Sequence, residues 1–281
     1  MTANRPGFAP AKINLTLHVT GQRADGYHLL DSLVAFADIG DEVSAQSSDS
    51  LSLTVTGPNA IGVPTDGRNL MIKAARLLDE NRTAALHLDK QLPAASGIGG
   101  GSSDAAATLR VLSKLWDLPI PTADQVLTLG ADLPVCLTPC CQRMRGIGDD
   151  LAVLPALPAC DVLLVNPGVH VATPAIFKAL TSRDNAPMAA SIPRFATAIE
   201  LADWLKVQRN DLEPPARALA PEITEVLAAL RSTDPLIARM SGSGATCFAL
   251  YPHGAQITQT AAQKIASANP NWWLRHGQLL P

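Results

Sequence analysis

A glycine-rich segment has the clearest capacity for chemistry in this sequence. Residues 93–103 read Pro-Ala-Ala-Ser-Gly-Ile-Gly-Gly-Gly-Ser-Ser, with four glycines and three serines. Because glycine has no Cβ and readily adopts positive φ angles, such a segment can curl and point its backbone N–H groups into one space. Residues 104–116 follow with apolar side chains at helical spacing, which predicts an α-helix. A glycine loop that leads into a helix N-terminus is suited to bind phosphate.

Two well-known phosphate loops do not match this segment. No Gly-Lys-Ser/Thr follows the glycines, and the Gly-x-Gly-x-x-Gly spacing of a dinucleotide site is missing. A flexible linker is the alternative, but linkers are flanked by polar sequence, whereas apolar residues precede and follow this segment. We therefore predict a phosphate-binding loop of a third kind, formed by Pro93, Ala94, Ala95, Ser96, Gly97, Ile98, Gly99, Gly100, Gly101, Ser102 and Ser103.

Transfer of a phosphoryl group also needs charge neutralisation and a group that orients or deprotonates the attacking hydroxyl. Lys12 and Asn14 are candidates because they share the polar face of a predicted strand, although that face could simply meet solvent. Asp132 is a second candidate, although its position two residues before a proline also suits a helix N-cap, worth about 1 kcal/mol. The Ser-Gly-Ser-Gly run from Ser241 predicts either a plain hairpin or a second backbone arc beside the phosphates.

The composition limits the classes of protein. The 281 residues suffice for two domains, each of about 140 residues. A net charge of −3 without a long basic run argues against nucleic acid or a membrane surface as the main partner. Five cysteines, an odd number without an apolar leader, predict reduced thiols and no structural metal. We expect a soluble, cytoplasmic protein that is a monomer or a homodimer.

The first half of the chain is predicted to be rich in strands. Alternating apolar residues indicate strands over 13–20, 27–43, 51–55 and 86–88. Asn69 is predicted to cap a helix that runs to about Glu80, and Thr122 forms a capping box with Gln125 at the start of a short helix.

The second half is predicted to begin after Pro155 and to form a small α/β sandwich. Thr173, followed by proline, is predicted to be the N-cap of a helix. Residues 182–193 have the composition of a mobile surface loop, and 138–146 carry paired cysteines and two arginines. The remaining predicted elements are helices over 195–208, 221–231 and 256–268 and strands near 162–165, 236–240, 246–250 and 272–275.

Taken together, these segments resemble the GHMP kinases, a superfamily that includes galactokinase and the homoserine and mevalonate kinases. Residues 93–103 match its nucleotide loop, and Ser-Gly-Ser-Gly-Ala from Ser241 matches its third motif. Four further segments narrow the resemblance to the group that acts on 4-diphosphocytidyl-2-C-methyl-D-erythritol. They are Ala9-Pro-Ala-Lys-Ile-Asn-Leu15, Arg23-Ala-Asp-Gly-Tyr-His-Leu29, Gly130-Ala-Asp-Leu-Pro-Val135 and Asn210-Asp-Leu-Glu213.

The resemblance implies an α+β fold of two domains with the active site in the cleft between them. Residues 1–155 would form a ribosomal-S5-like α/β domain and residues 156–281 a ferredoxin-like α/β sandwich. The implied reaction transfers the γ-phosphoryl group of ATP, with Mg²⁺, to the 2-hydroxyl of the cytidine-bearing methylerythritol in the non-mevalonate route to isoprenoids. The implied partner is this small molecule, with no nucleic acid and no membrane.

The resemblance also assigns roles to individual residues. Asp132 matches the catalytic aspartate and Lys12 the catalytic lysine, residues 93–103 wrap the triphosphate, and Ser103 and Asp104 both stay open as neighbours of the metal. Tyr27 is implied to stack on the cytosine ring, His28 to read its polar edge and Phe177 to close the sandwich, with core packing as the alternative for Phe177. The implied substrate contacts are Asn14, Tyr27, His28, Thr173, Phe177, Ser241 and Gly242.

Two other functions share the implied fold. A GHMP kinase of the homoserine or mevalonate type has no cytosine to bind, so Tyr27, His28 and Phe177 argue against it. A non-catalytic nucleotide-binding sensor is expected to have lost its lysine or its aspartate, whereas Lys12 and Asp132 are both present.

Overall fold

The computed structural model describes residues 5–254 and 256–281. The chain forms two compact units whose segments alternate along the sequence. The first unit takes in the chain up to Lys12 and the segments Gly40–Ala94 and Gly99–Pro139, and the second takes in Ile13–Ile39, Ala95–Ile98 and Cys140–Pro281. A single domain boundary near residue 155 stays a prediction.

The described residues contain both strands and helices throughout. The strands are β1 (Phe8–Asn14), β2 (His18–Gln22), β3 (His28–Ser47), β4 (Ser52–Thr56), β5 (Ala84–Asp89), β6 (Gln142–Gly146), β7 (Asp150–Val153), β8 (Cys160–Asn166), β9 (Ile237–Met240), β10 (Cys247–Pro252) and β11 (Trp273–Gln278). The helices are α1 (Leu70–Leu78), α2 (Gly100–Trp116), α3 (Ala123–Leu127), α4 (Leu133–Leu137), α5 (Thr173–Lys178), α6 (Ala198–Lys206), α7 (Glu213–Leu219), α8 (Glu222–Arg231) and α9 (Ile257–Ala268). Among them no helix has both the length and the apolar character needed to cross a membrane.

The first unit packs α1 and α2 against strands of a mixed sheet. The second half of β3 pairs antiparallel with β5, and β5 pairs parallel with β4. The Asn69 side chain accepts a hydrogen bond from the Met71 N–H and begins α1 as predicted, and the Thr122–Gln125 capping box begins α3. The core between these elements is apolar and includes Val43, Leu53, Met71, Leu86, Leu88, Leu112 and Trp116.

The second unit contains an antiparallel sheet of four strands in the order β11-β8-β10-β9. Helices α8 and α9 contribute apolar faces to its core, which confirms the predicted α/β sandwich. Helix α7 was not among the predicted elements. The predicted N-cap at Thr173 is wrong, because Ala172 takes that position and the Thr173 hydroxyl bonds to Ser243 Oγ at 2.8 Å instead.

The single strand predicted over 13–20 is in fact interrupted. β1 ends at Asn14 and β2 begins at His18. In the gap, side-chain hydrogen bonds add to irregular backbone bonds: Thr16 Oγ1 accepts from the Leu33 N–H at 2.8 Å, and Ser32 Oγ donates to the Thr16 carbonyl at 2.5 Å. Every residue of β1 is buried, so the alternative that the polar face of this strand meets solvent is wrong.

Arg143, in segment 138–146, forms stabilising contacts within the second unit. The segment leads into β6, which pairs with β7 in a hairpin that the sequence pattern did not predict. Arg143 forms a two-pronged ion pair with Asp31 at 2.7 and 2.8 Å and also donates to the Ala189 and Ala190 carbonyls. These bonds fasten part of 182–193, whereas its composition predicts a mobile surface loop.

Candidate active site

Lys12 and Asp132 form an ion pair within the first unit, with Nζ and Oδ1 2.6 Å apart. The Lys12 side chain is 3% exposed and that of Asp132 is 39% exposed, so the carboxylate opens toward solvent and the ammonium does not. Asp132 stands at the N-cap of α4, yet its side chain makes no capping bond. The capping alternative is therefore wrong, and the carboxylate is placed to orient or deprotonate a hydroxyl beside a fixed cation.

The turn that begins α2 lies directly against the Lys12 side chain. Gly99, at φ +64°, is the N-cap of α2, and a Cβ built there would come within 3.0 Å of Lys12 Cβ and 3.3 Å of Cε. Glycine is needed at this position for both its backbone angle and the close approach. The unpaired N–H groups and the positive end of α2 therefore begin beside the Lys12–Asp132 pair.

A second buried ionic cluster joins the two sides of the glycine-rich loop within the first unit. Lys90 Nζ donates to Oδ2 of Asp41 and Oδ2 of Asp104, both at 2.6 Å. Asp41 Oδ1 also accepts from the N–H groups of Gln91 and Leu92. Because Lys90 precedes the loop and Asp104 lies in the first turns of α2, the cluster ties β5 to the start of that helix.

Asp104 differs from Asp41 in its surroundings. Its Oδ1 is buried and has no hydrogen-bond partner among the described residues. Burial raises the pKa of Asp104 to about 8, against the attraction of Lys90. No pattern in the sequence indicates this cluster, since its three members are 14 to 63 positions apart and only the fold brings them together.

Titration of Asp104 should make stability depend on pH. Because its pKa rises from 3.8 to about 8 on folding, the folded protein retains a proton that the unfolded chain releases. The contribution of Asp104 to the free energy of unfolding is complete below pH 3.8, its pKa in the unfolded chain, and it is lost as pH rises through about 8. We expect Asp104→Asn to flatten the fall of the melting temperature between pH 5 and 8. Thermal melts across this range, with the exposed Asp49→Asn as control, test it; an unchanged slope in Asp104→Asn would contradict it.

In the second unit, two glycine segments lie backbone against backbone. Ser241 Oγ donates to the Gly97 carbonyl at 3.0 Å, and the Thr246 N–H donates to the Ser96 carbonyl at 3.1 Å. A Cβ at Gly97 would lie 2.5 Å from the Ser241 carbonyl oxygen, and one at Gly242 would lie 2.7 Å from the Gly97 oxygen. Only glycine fits at this contact. The segment from Ser241 joins the antiparallel strands β9 and β10, as the hairpin alternative predicts, and it also forms a second backbone arc beside 95–98.

Asn14 adds an unused acceptor to this arrangement. Its Nδ2 donates to Ser32 Oγ at 2.8 Å, and its backbone N–H donates to Ser241 Oγ at 3.1 Å. Its Oδ1 is buried and has no partner among the described residues. An unpaired buried acceptor is costly unless a ligand uses it, so Asn14 fits a role in binding a hydroxyl.

The three aromatic residues of the predicted cytosine site lie in the second unit and differ in exposure and in their ring contacts. Tyr27 follows the turn at Gly26 and is 60% exposed. His28 and Phe177 stack on each other, with ring centroids 4.4 Å apart and planes inclined by 22°. Phe177 also packs against the core of the unit, so core packing describes part of its role. The roles of Tyr27, His28 and Phe177 toward a substrate stay predictions.

The burial of His28 favours the neutral form of its ring. Its Nε2 is buried and has no hydrogen-bond partner among the described residues. Burial, and secondarily the charge of Arg183, lowers the pKa of His28 below its usual 6.5. A neutral imidazole with one free nitrogen can read the polar edge of a base.

No group of three or more His, Cys, Asp or Glu side chains in 5–254 and 256–281 could hold a metal ion. The two residues left open as metal neighbours are both engaged within the first unit. Ser103 Oγ donates to the Pro10 carbonyl at 2.7 Å, and Asp104 is bonded to Lys90. The five cysteines are free thiols.

Comparison with known proteins covers nearly the whole chain. Residues 69–149 match the GHMP kinases N terminal domain, and residues 178–273 match the GHMP kinases C terminal domain. A 4-diphosphocytidyl-2-C-methyl-D-erythritol kinase from Ruegeria pomeroyi is 57% identical over 274 residues, which are 97% of this chain and 98% of that protein. The protein of the same name from Dinoroseobacter shibae is 56% identical over 269 residues, 95% of this chain and 92% of that protein.

A solved structure supports the same relationship. The crystal structure of a 4-(cytidine 5'-diphospho)-2C-methyl-D-erythritol kinase matches with a TM-score of 0.77 at 33% identity, over 98% of both chains. The expected two-domain kinase fold and the kinase class are thereby confirmed, and the sensor alternative is not favoured. This chain belongs to the GHMP kinases and, within them, to the 4-diphosphocytidyl-2-C-methyl-D-erythritol kinases.

Proposed function

We propose that this chain transfers the γ-phosphoryl group of ATP to the 2-hydroxyl of 4-(cytidine 5'-diphospho)-2-C-methyl-D-erythritol, giving the 2-phosphate and ADP. The observation that carries the proposal is the ion pair of Lys12 and Asp132, 2.6 Å apart, against the turn at Gly99. The names of the relatives at 56–57% identity support the choice of acceptor.

In the proposed reaction, Asp132 accepts or orients the proton of the 2-hydroxyl. The hydroxyl oxygen forms a bond to the γ-phosphorus as the bond to the β,γ-bridging oxygen breaks, and ADP leaves with the electron pair of that bond. Lys12 steadies the Asp132 carboxylate and the negative charge on the transferring group. This division of labour fits an exposed carboxylate beside a buried ammonium.

The glycine-rich loop is proposed to hold the triphosphate. Gly97 and Gly99, both with positive φ, allow the loop to turn at these two positions, and the N-terminus of α2 supplies free N–H groups. Mg²⁺, when bound with ATP, neutralises charge on the phosphates. Since the Ser103 hydroxyl and Oδ2 of Asp104 already have partners in the protein, we infer that phosphate oxygens and water would supply most ligands of the metal.

The cytidine end of the acceptor is proposed to bind at Tyr27, His28 and Phe177. The exposed ring of Tyr27 offers a stacking surface that no core contact requires. His28 supplies the free ring nitrogen, and Phe177 holds the imidazole by stacking. The unpaired oxygen of Asn14 is proposed to bind a hydroxyl of the methylerythritol, and Thr173, Ser241 and Gly242 to line the remaining contacts.

Recognition through a neutral His28 predicts a pH-dependent KM. We propose that Nε2 accepts a hydrogen bond from the 4-amino group of cytosine, which an imidazolium cannot do. Because the pKa of His28 is lowered below 6.5, the neutral ring prevails at higher pH and is lost as pH falls through the lowered value. We expect the KM for the cytidine substrate to stay constant from pH 8 to 6.5, then rise, and His28→Gln to abolish that rise. A wild-type KM that does not rise would mean that Nε2 donates instead.

The test of the proposed function is ADP release with three acceptors. Purified protein is incubated with Mg-ATP and, separately, the cytidine substrate, homoserine or mevalonate. Turnover with the cytidine substrate alone is expected. Turnover with another alcohol would support a kinase activity but contradict the proposed acceptor. ATP binding without turnover on any of the three would favour a sensor.

A further inference from the structure

Among the described residues, the hydrogen-bond partners of Arg110, on α2, are all backbone carbonyl oxygens. Its Nη2 donates to Phe8 at 2.6 Å, its Nε to Pro6 at 3.1 Å, and its Nη1 to Cys136 at 3.1 Å and Leu137 at 3.5 Å. Within the described part of the chain, no carboxylate forms an ion pair with it. A half-buried guanidinium that donates hydrogen bonds to the backbone carbonyls of two chain segments acts as a clamp between them.

The two segments that it clamps are those that carry the proposed catalytic pair. Phe8 begins β1, and Lys12 lies four residues further along that strand. Cys136 and Leu137 end α4, whose N-cap is Asp132. Because α4 has only five residues, its last carbonyls lack partners inside the helix, and a cation there is favourable.

Ser103 makes a second contact of the same kind two helical turns earlier on α2. Its hydroxyl donates to the Pro10 carbonyl of β1 and lies 3.5 Å from Cys136 Sγ of α4. Residues seven positions apart lie on one face of a helix. One face of α2 therefore contacts β1 and α4 at two positions. The first is the Ser103 hydroxyl, and the second is the guanidinium of Arg110.

We propose that Arg110 is a positioning residue for phosphoryl transfer, which sets the geometry of Lys12 and Asp132 by holding β1 and α4 together. The inference rests on the proposed function. Lysine cannot replace arginine in this role, because one ammonium cannot span carbonyls on two segments as a planar fork does.

The expected effect falls on kcat. Misplacement of catalytic groups by about 1 Å can cost roughly 100-fold in rate, so we expect Arg110→Lys and Arg110→Met to lower kcat about 10- to 100-fold. The KM for ATP and for the cytidine substrate should stay within about threefold. The control is Leu53→Ala on β4, which loses packing in the core of the same unit without touching the clamp. Assayed well below its melting temperature, this control should keep the wild-type kcat.

A double-mutant cycle separates positioning from a general structural role. If Arg110 acts through Asp132, then Arg110→Met should lower kcat less than twofold in an Asp132→Asn background. Additive losses, an Arg110→Met kcat within twofold of wild type, or an equal loss in Leu53→Ala would each overturn the proposal. Inactivity of the wild type on the cytidine substrate would instead count against the proposed function, so the two failures are distinguishable.

Discussion

An Asp132→Asn variant is expected to keep its fold and to lose about 100- to 10,000-fold in kcat, the range for removal of a positioned general base. The asparagine oxygen can still accept from Lys12 Nζ, so the buried ammonium keeps a polar partner. The side chain of Asp132 makes no capping bond, and α4 therefore loses nothing by the change. The kcat from ADP release and the melting temperature are the two measurements.

The matched control removes the carboxylate of another lysine–aspartate pair. Asp203 bonds to Lys206 at 2.8 Å on α6, and both side chains are exposed. Asp203→Asn should leave kcat within twofold of wild type, since surface pairs contribute little. Near-normal turnover of Asp132→Asn would show that Asp132 is not the base, whatever its distance from Lys12.

The second large effect is expected from Tyr27→Ala, on the KM for the cytidine substrate. Stacking of an aromatic side chain on a base is worth about 1–3 kcal/mol, which corresponds to roughly a 5- to 150-fold rise in KM. The Tyr27 ring is 60% exposed, so its removal takes little from the core. The KM for ATP should be unaffected, because that site uses other residues.

Tyr27→Phe is the matched control, because it keeps the ring and removes only the hydroxyl. It should bind the cytidine substrate within about threefold of wild type. If Tyr27→Ala raises both KM values equally, the loss is structural and the stacking role is wrong. If Tyr27→Phe is as damaging as Tyr27→Ala, the hydroxyl carries the recognition and the ring does not.

Features fixed by neighbours in sequence were predictable. The glycine-rich segment leads into α2, Asn69 begins α1 and Thr122 begins α3, because caps and glycine turns act over three or four residues. Thr173 is the exception: it has the right type and neighbour for an N-cap, but its hydroxyl bonds to Ser243, 70 positions away. A local rule fails where a distant partner competes for the same atom.

Features fixed by distant neighbours were not predictable. Sequence pattern left open whether Lys12 meets solvent, and its burial against Gly99 depends on the packing of β1 under α2. The pairing of Arg143 with Asp31 joins residues 112 positions apart, and two arginines in a short segment do not indicate a buried strand. Likewise, the sequence identifies Arg110 only as a polar residue on a helix. Its carbonyl partners in the structure show that it joins β1 and α4.

The product itself gives the most direct test of the central claim, that this chain phosphorylates a tertiary alcohol. Carbon 2 of the methylerythritol bears the methyl group and therefore carries no hydrogen. Proton-coupled ³¹P NMR after reaction with Mg-ATP is expected to show ADP and an equal amount of a new phosphomonoester whose signal is a singlet. A multiplet would place the phosphate on a carbon that bears hydrogen, and ADP with only inorganic phosphate would mean that water is the acceptor; either result would contradict the claim.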